Sequence, residues 1–241
     1  KSSTDGTTWL MSYSGTHAIN PALYQNMPFD TVKDLVPLGA LATLPFVLVV
    51  SPSLPVNNIA EYVAYAKANP GKINIASSGN GSVAHLLDTM FDSAAGIKTT
   101  HVPYKGIAPA LTDVMSGQVQ GTFASAPSVM GQIKAGQVRA IAVSATKRSA
   151  ALPDVPTFAE AGLPSLAIDS WFAFFAPTAT PVALRQQIHA EINKVLADPA
   201  VIAQFASKGA SPMVTSLDDF QAVVDKDMAQ WGQAVKDSGA K

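Results

Sequence analysis

The stretch from residue 73 to residue 143 repeats one unit: a short apolar run, a loop of small residues, and a helix that ends at glycine. Strands are predicted over residues 73–76, 99–103, 119–123 and 138–143, and helices over 82–95, 109–115 and 127–135. Short connections between alternating strands and helices are typical of parallel pairing, with helices covering both faces of the sheet. The pattern therefore predicts an α/β fold with a mostly parallel sheet flanked by helices.

The two ends of the chain do not share this rhythm. An apolar strand is predicted over residues 46–50, between Pro45 and Pro52, and another over 170–177. Helices are predicted over 181–197, 199–208 and 217–238. We therefore expect two lobes, with residues 43–171 forming lobe 2, and residues 1–42 and 172–241 together forming lobe 1. Two chain crossings, near Ala42 and Phe172, would form the hinge.

Composition removes several classes of function. The chain is 48% hydrophobic and 14% charged, with a formal net charge of −1 and no cysteine. The balanced charge argues against nucleic acid or an anionic membrane as a partner. The lack of cysteine excludes disulfides and thiolate metal sites. No apolar run reaches the roughly 20 residues that a membrane-spanning helix needs.

The beginning of the chain carries an expectation of its own. The segment from Lys1 to Gly6 has no initiator methionine and no apolar signal core, and an interior-like strand follows at once. We expect that a removed leader, or a further part of the first lobe, precedes Lys1.

The loop that follows the strand at 73–76 has the features of an anion site. Gly79 and Gly81 can adopt positive φ, and Ser82 can cap the next helix. A helix start of this kind directs N–H groups and a positive dipole end at one point. The run from Gly79 to Ala84 also fits the dinucleotide fingerprint G-x-G-x-x-A, which keeps a Rossmann-type oxidoreductase open as an alternative. However, the next strand ends without the acidic residue that would bind a ribose.

Metal and hydrolase chemistry have little support in the pattern. The four histidines have no metal-binding spacing, and we interpret each as structural or surface, although His17 and His85 adjoin the small-residue loops. No G-x-S-x-G elbow is present. The loops at 14–16, 77–82 and 124–128 hold no arginine or lysine. An anion between them would be held by N–H groups, hydroxyls and water, which suits a carboxylate better than a phosphate.

Five motifs, spread over most of the chain, carry a family resemblance. They are Ser-Gly-Thr-His-Ala-Ile-Asn-Pro-Ala-Leu-Tyr at 14–24, Ala-Ser-Ser-Gly-Asn-Gly at 76–81, His-Val-Pro-Tyr-Lys-Gly at 101–106, Ile-Lys-Ala-Gly at 133–136 and Leu-Pro-Asp-Val-Pro-Thr at 152–157. In this order they resemble the substrate-binding proteins of tripartite tricarboxylate transporters, the Bug family. The resemblance implies a periplasmic, two-lobed type II flytrap that presents a small organic acid to membrane permease subunits. It further implies a monomer without a cofactor, a metal or catalytic activity.

The resemblance also implies the ligand-binding residues. The first lobe would contribute Ser14, Gly15 and Thr16, with His17 beside them, and the second lobe Ser77, Ser78, Gly79 and Asn80, while Ala124 and Ser125 would contact the far end of the ligand. Many relatives carry an acid where this chain has Ala124, so we expect a dicarboxylate or aromatic carboxylate rather than an amino acid. The family's opening strand and Pro/Gly-rich loop have no match here, which implies an incomplete pocket. A ligand sensor of the same fold, signalling to a membrane kinase, remains a further alternative.

Overall fold

The computed structural model describes residues 3–240 and contains eight strands and eight α-helices within that range. The strands are β1 (Leu10–Tyr13), β2 (Leu35–Val50), β3 (Asn74–Ser77), β4 (Thr100–Pro103), β5 (Gly121–Ser125), β6 (Arg139–Val143), β7 (Asp169–Pro177) and β8 (Ser211–Pro212). The helices are α1 (Asn20–Leu23), α2 (Ile59–Ala68), α3 (Val83–Ala95), α4 (Ile107–Ser116), α5 (Ala126–Lys134), α6 (Val182–Leu196), α7 (Pro199–Ser207) and α8 (Leu217–Ser238). A π-helical turn, Gly15–Ile19, runs directly into α1, and a 3₁₀ turn covers Pro164–Leu166.

Strand β2 belongs to two sheets. From Leu35 to Pro45 it pairs with β7, and it also pairs briefly with β8. From Phe46 to Val50 it pairs with β5 on one side and β6 on the other. Sheet A consists of β1, β7, the first part of β2 and β8; sheet B has the order β4-β3-β5-β2-β6. The part of the molecule built on sheet A is called lobe 1, and the part built on sheet B lobe 2. Residues 43–45 and 169–171, which the prediction places in lobe 2, pair within sheet A.

The strand directions refine the predicted architecture. In sheet B, β3 pairs in parallel with β4 and β5, and β6 runs the same way because β5 and β6 are both antiparallel to β2. In sheet A, the pairs β1–β7, β2–β7 and β2–β8 are antiparallel. The parallel ladders therefore lie in the segment with the strand–helix repeat, and a single parallel bridge joins Val143 to Thr157 beyond it. This topology confirms the predicted mixed α/β fold with helices flanking its sheets.

The prediction of a short strand over residues 46–50 was wrong in its extent. The strand is 16 residues long and passes through Pro37 and Pro45. Proline is tolerated in a strand where its missing N–H is not needed, at bulges and ladder ends. Pro37 adjoins a register shift in the β2–β7 ladder, and Pro45 forms that ladder's last pair, with Asp169.

Both sheets are packed on both faces. In sheet B, Leu48 and Val50 face a core with α3, whereas Val47 and Val49 face a core with α4 and α5. In sheet A, one face packs against α8 through Trp171, Phe175 and Phe220, and the other against α6. The larger core of sheet B also takes in residues of lobe 1: Ala18, Ile19, Trp231, Ala234 and Val235. The lobes are thus in direct apolar contact.

The change between sheets locates the crossings. On β2 it falls between Pro45 and Phe46. On the return, all of β7 pairs within sheet A, so the chain leaves sheet B before Asp169. The boundaries at 42/43 and 171/172 stay a prediction. Among the helices that the structure describes, none combines the length and apolarity needed to cross a membrane.

Candidate functional site

Four strands of sheet B end at one edge, and that edge faces lobe 1. Strands β3, β4, β5 and β6 share a direction, so their carboxyl ends lie together. Strand β2 arrives from sheet A at the same edge, because its residue Phe46 pairs with Ser125, the last residue of β5. Open α/β sheets bind their ligands in the crevice beyond the carboxyl ends of the strands. The edge between the lobes is therefore the candidate site.

Three helices begin at this edge. Helix α3 follows β3, α4 follows β4, and α5 follows β5 after a short loop or none at all. Each start presents N–H groups without helical partners and the positive end of the helix dipole. Ser82 satisfies one such group on α3, since its side chain accepts a hydrogen bond from the His85 N–H at 3.4 Å. The backbone N–H groups at these helix starts that have no helical partner can donate hydrogen bonds to an anion.

The loop formed by residues 77–82 is fixed from within. Ser77 Oγ accepts the Gly79 N–H at 3.1 Å and lies 3.0 Å from the Gly79 carbonyl oxygen, to which it donates. Gly79 and Gly81 have φ of +136° and +69°, as glycine permits. A side chain at position 81 would run into that of Leu23, at the end of α1. Ser77 is buried, while Ser78 and Asn80 are exposed.

Two histidines from different elements support this loop. His85 of α3 and His101 of β4 stack, with ring centroids 3.8 Å apart and planes 11° from parallel. His85 Nδ1 accepts the Gly81 N–H at 3.1 Å, and His101 Nε2 lies 2.6 Å from Ser77 Oγ. Burial lowers the pKa of both imidazoles, that of His101 to about 4, with a smaller contribution from His85. No group of three or more possible metal ligands occurs among residues 3–240.

The segment predicted as a polar loop of lobe 1 is helical and largely buried. Ser14 precedes the π-helical turn, and its Oγ lies 2.6 Å from Ser170 Oγ on β7. His17 stacks on Phe175 with ring centroids 3.9 Å apart, and burial lowers its pKa to about 4. Gly15 is buried, whereas Thr16 is partly exposed. The Ser14 hydroxyl is thus engaged by Ser170 and the His17 ring by Phe175, while His17 Nδ1 has no hydrogen-bond partner within residues 3–240.

The residues predicted for the far end of the ligand lie at the end of β5. Ala124 is 1% exposed and packs into the core with α4 and α5. Ser125 is partly exposed, and its Oγ donates to Ser128 Oγ at 3.0 Å. Ser128 Oγ in turn donates to the Ser125 carbonyl at 2.7 Å. These contacts close the first turn of α5 and leave N–H groups at the helix start.

The predicted residues of lobe 2 therefore share one edge, and the lobe 1 segment reaches them. The π-helical turn continues into α1, whose Leu23 lies against Gly81. Residues of this turn also share a core with the start of α3. The predicted ligand-binding residues leave out two further loops at the same edge: Tyr104–Gly106 after β4 and the loop after β6. They could have been found from strand direction, because parallel strands end on one side.

A cavity of about 340 Å³ lies at the hinge. It is bordered by the sheet change in β2, the loop after β6, the start of β7 and the segment around β8; its lining includes Thr43, Pro45, Thr146, Lys147, Asp169 and Ser211. None of the ten predicted ligand-binding residues lines it. Burial raises the pKa of Asp169, opposed by a hydrogen bond from the Thr146 backbone.

Comparison with protein families identifies the family to which the chain belongs. The model of the tripartite tricarboxylate transporter family receptor matches residues 1–240. The chain belongs to this family. Its members are periplasmic solute-binding proteins, which confirms the resemblance carried by the five motifs.

Individual receptors of this family are similar over the whole chain. Protein BugT of Bordetella pertussis is 34% identical over 242 residues, which cover 100% of this chain and 74% of BugT. The solved structure of R. palustris Rpa4515 with adipate has 33% identity and a TM-score of 0.91, covering 100% of this chain and 80% of Rpa4515. MatC from Rhodopseudomonas palustris, with bound malate, has 27% identity and a TM-score of 0.82, covering 97% of this chain and 81% of MatC.

Proposed function

We propose that this protein captures a small organic carboxylate between its lobes and delivers it to the membrane subunits of a tripartite transporter. The observation that carries this proposal is the common edge of sheet B. There the starts of α3, α4 and α5 and the loop formed by residues 77–82 face lobe 1. A carboxylate carries one negative charge and two acceptor oxygens, which N–H groups at helix starts can satisfy.

The charge of the loops supports a carboxylate over a phosphate. Residues 77–82 and 124–128 contain no arginine or lysine. At this edge, Lys105 is exposed in the β4–α4 loop, and the loop after β6 adds exposed Lys147 and Arg148, of which Arg148 pairs with Glu160. A multiply charged phosphate usually requires bidentate arginine or a lysine point charge. One carboxylate needs less compensation, and the second carboxylate of a diacid can extend toward a solvated region.

The same loops argue against an amino acid as ligand. An ammonium group needs acceptors, normally a carboxylate, and neither stretch contains an acidic residue. The resemblance implies an acidic residue at position 124 in many relatives, whereas this chain has Ala124, which is buried in the core. The R. palustris relatives solved with adipate and with malate support a dicarboxylate as the first choice. An aromatic monocarboxylate is the second ligand class to be tested.

Binding is tested by thermal shift and isothermal titration calorimetry with adipate, malate, benzoate and aspartate, and with NADH as the probe for the nucleotide alternative. We expect stabilisation by at least one dicarboxylate and none by NADH. Stabilisation by NADH alone, or by none of the acids, would overturn the proposal. The transport role is tested by co-purification with the transporter's membrane subunits in the presence and absence of the stabilising acid.

A charge placed in the loop locates the site. Ser78 is exposed and lies in the loop between β3 and the start of α3. We expect Ser78→Asp to weaken dicarboxylate binding by at least tenfold through charge repulsion, with little change in stability. The control is Ser93→Asp, which adds the same charge at an exposed position near the other end of α3. Equal affinity of both variants would place the ligand elsewhere.

A further inference from the structure

The N–H of Gly81 points inward, and its acceptor is a histidine. Gly81 is buried, so an unpaired N–H at this position would be costly. The hydrogen bond to His85 Nδ1 supplies the acceptor at 3.1 Å. On its other side Gly81 meets the Leu23 side chain. The end of the loop is thus held between an imidazole of lobe 2 and an aliphatic side chain of lobe 1.

The hydrogen-bond network assigns the protonation of both imidazoles. Ser77 Oγ has one proton, which it donates to the Gly79 carbonyl, and it accepts the Gly79 N–H. With that proton donated to the Gly79 carbonyl, the donor in the 2.6 Å contact between Ser77 Oγ and His101 Nε2 is the imidazole N–H. His85 Nδ1 accepts from Gly81, so it has no proton. A proton on His85 Nδ1 would remove the acceptor and place a cation 3.8 Å from the neighbouring ring.

We propose that His85 is a positioning residue for the ligand: its unprotonated Nδ1 fixes the Gly81 N–H and with it the loop formed by residues 77–82, and protonation of His85 releases that loop. This inference rests on the proposed function, because it assigns how the carboxylate loop is held. The ligand does not touch His85. Its affinity falls when the loop is released, because a binding-competent conformation is then only fractionally populated.

The elements packed around His85 bring one ionisable side chain against its ring, that of His101. Strands β3 and β5, which pack on α3, carry no ionisable side chain, and β4 carries only His101. Helix α8 packs on α3 through Trp231, Ala234 and Val235. The acidic residues of α3 that face inward, Asp88 and Asp92, accept hydrogen bonds from Thr99 instead. Among residues 3–240, burial is accordingly the cause that shifts the pKa of His85, and it lowers it.

Two matched variants separate the acceptor from the ring. His85→Asn keeps an acceptor at the position of Nδ1 and loses the stacked ring, whereas His85→Phe keeps the ring and loses the acceptor. We expect His85→Phe to weaken adipate binding by at least tenfold and to raise amide exchange in peptides covering residues 77–82. His85→Asn should retain affinity and protection within about threefold of the wild type. Weaker adipate binding by His85→Asn than by His85→Phe would overturn the proposal. His189→Asn, on α6, is the control for histidine removal.

A pH titration of the ligand-free wild type tests directly whether protonation of His85 releases the Gly81 N–H. In NMR spectra of the wild type, the Gly81 amide and the His85 imidazole signals should move with one midpoint as the pH falls. A Gly81 amide that stays unchanged while His85 gains its proton would overturn the proposal. If the wild type binds none of the carboxylates, the proposed function fails, and this titration still tests the positioning of Gly81. If adipate binds wild type and His85→Phe equally, the positioning role alone is refuted.

Discussion

The indole N–H of Trp171 donates a 2.7 Å hydrogen bond to Asp227 Oδ2 in the core of lobe 1. Trp171 is 1% exposed and pairs with Thr43, close to the point where β2 changes sheets. Burial raises the pKa of Asp227 to about 6, opposed by the hydrogen bond from Trp171 and the charge of Lys226. A carboxyl with a raised pKa thus contacts β7 close to the point where β2 changes from sheet A to sheet B.

This pair predicts a change in tryptophan fluorescence with a midpoint near pH 6. The pKa of Asp227 is raised from 3.8 to about 6, so the folded state binds the proton more tightly than the unfolded chain. The contribution of this group to stability therefore falls as the pH rises from about 4 to about 6, by at most about 3 kcal/mol. In Asp227→Asn we expect the fluorescence step to vanish and the stability profile to flatten. Asp225→Asn, at an exposed position on α8, should keep both the fluorescence step and the pH dependence of stability. A fluorescence step that persists in Asp227→Asn would show that another group causes it.

A second buried acid predicts a stabilising substitution. Burial raises the pKa of Asp88, and the nearby Asp92 raises it further. The folded protein therefore favours the protonated form, and stability is lost as the pH rises above the ordinary range of an aspartate. We expect Asp88→Asn to raise Tm at pH 8 by a few degrees, as about 1 kcal/mol does in a chain of this size, and to have little effect at pH 4. A lower Tm at pH 8, measured by calorimetry, would contradict this.

The strand–helix repeat made most of lobe 2 predictable, and α8 begins and ends where the pattern places it. The lobe 1 segments were harder. The prediction began a strand after Pro45, yet β2 runs through both Pro37 and Pro45, because the bulges and ladder ends that accommodate proline depend on pairing partners distant in sequence. Residues 15–19 form a π-helical turn in which His17 stacks on Phe175, a partner distant in sequence that local patterns do not indicate.

The candidate site was predictable only in part. Gly79 and Gly81 predict a tight turn and Ser82 predicts a helix start, and the structure places these residues between β3 and α3 as expected. The stack of His85 on His101 could not be foreseen, because the two residues come from a helix and a strand whose proximity depends on the β3–β4 register. Local patterns therefore indicated the loop but not what supports it.

Glycine substitutions distinguish the contact between the lobes from backbone strain alone. Gly81 and Gly96 have similar positive φ, +69° and +62°, but a Cβ at Gly96 has nothing within 4 Å, whereas one at Gly81 meets Leu23. We expect Gly96→Ala to cost about 1 kcal/mol and Gly81→Ala about 2–4 kcal/mol in urea denaturation. Leu23→Ala introduced into Gly81→Ala should recover part of the difference. Equal costs of the two glycine substitutions would show that α1 moves aside freely.

Three buried serines test whether Ser14 uses its side chain for structure. Ser14 Oγ pairs with Ser170 Oγ, whereas the equally buried Ser12 Oγ has no hydrogen-bond partner within residues 3–240. Ser14→Ala should cost about 1–3 kcal/mol because it leaves Ser170 unsatisfied, and the double variant with Ser170→Ala should cost less than the sum of the singles by about 1 kcal/mol. Ser12→Ala should be nearly neutral.

Ligand binding by these serine variants separates the two roles of Ser14. Because its hydroxyl is taken up by Ser170, we expect Ser14→Ala to retain adipate affinity within about twofold when compared at a temperature where both proteins are folded. The backbone at the start of the π-helical turn would then be what lobe 1 offers to the carboxylate. A loss of more than tenfold in affinity, with the double-variant coupling absent, would instead mean that the Ser14 hydroxyl turns from Ser170 to the ligand when the lobes close.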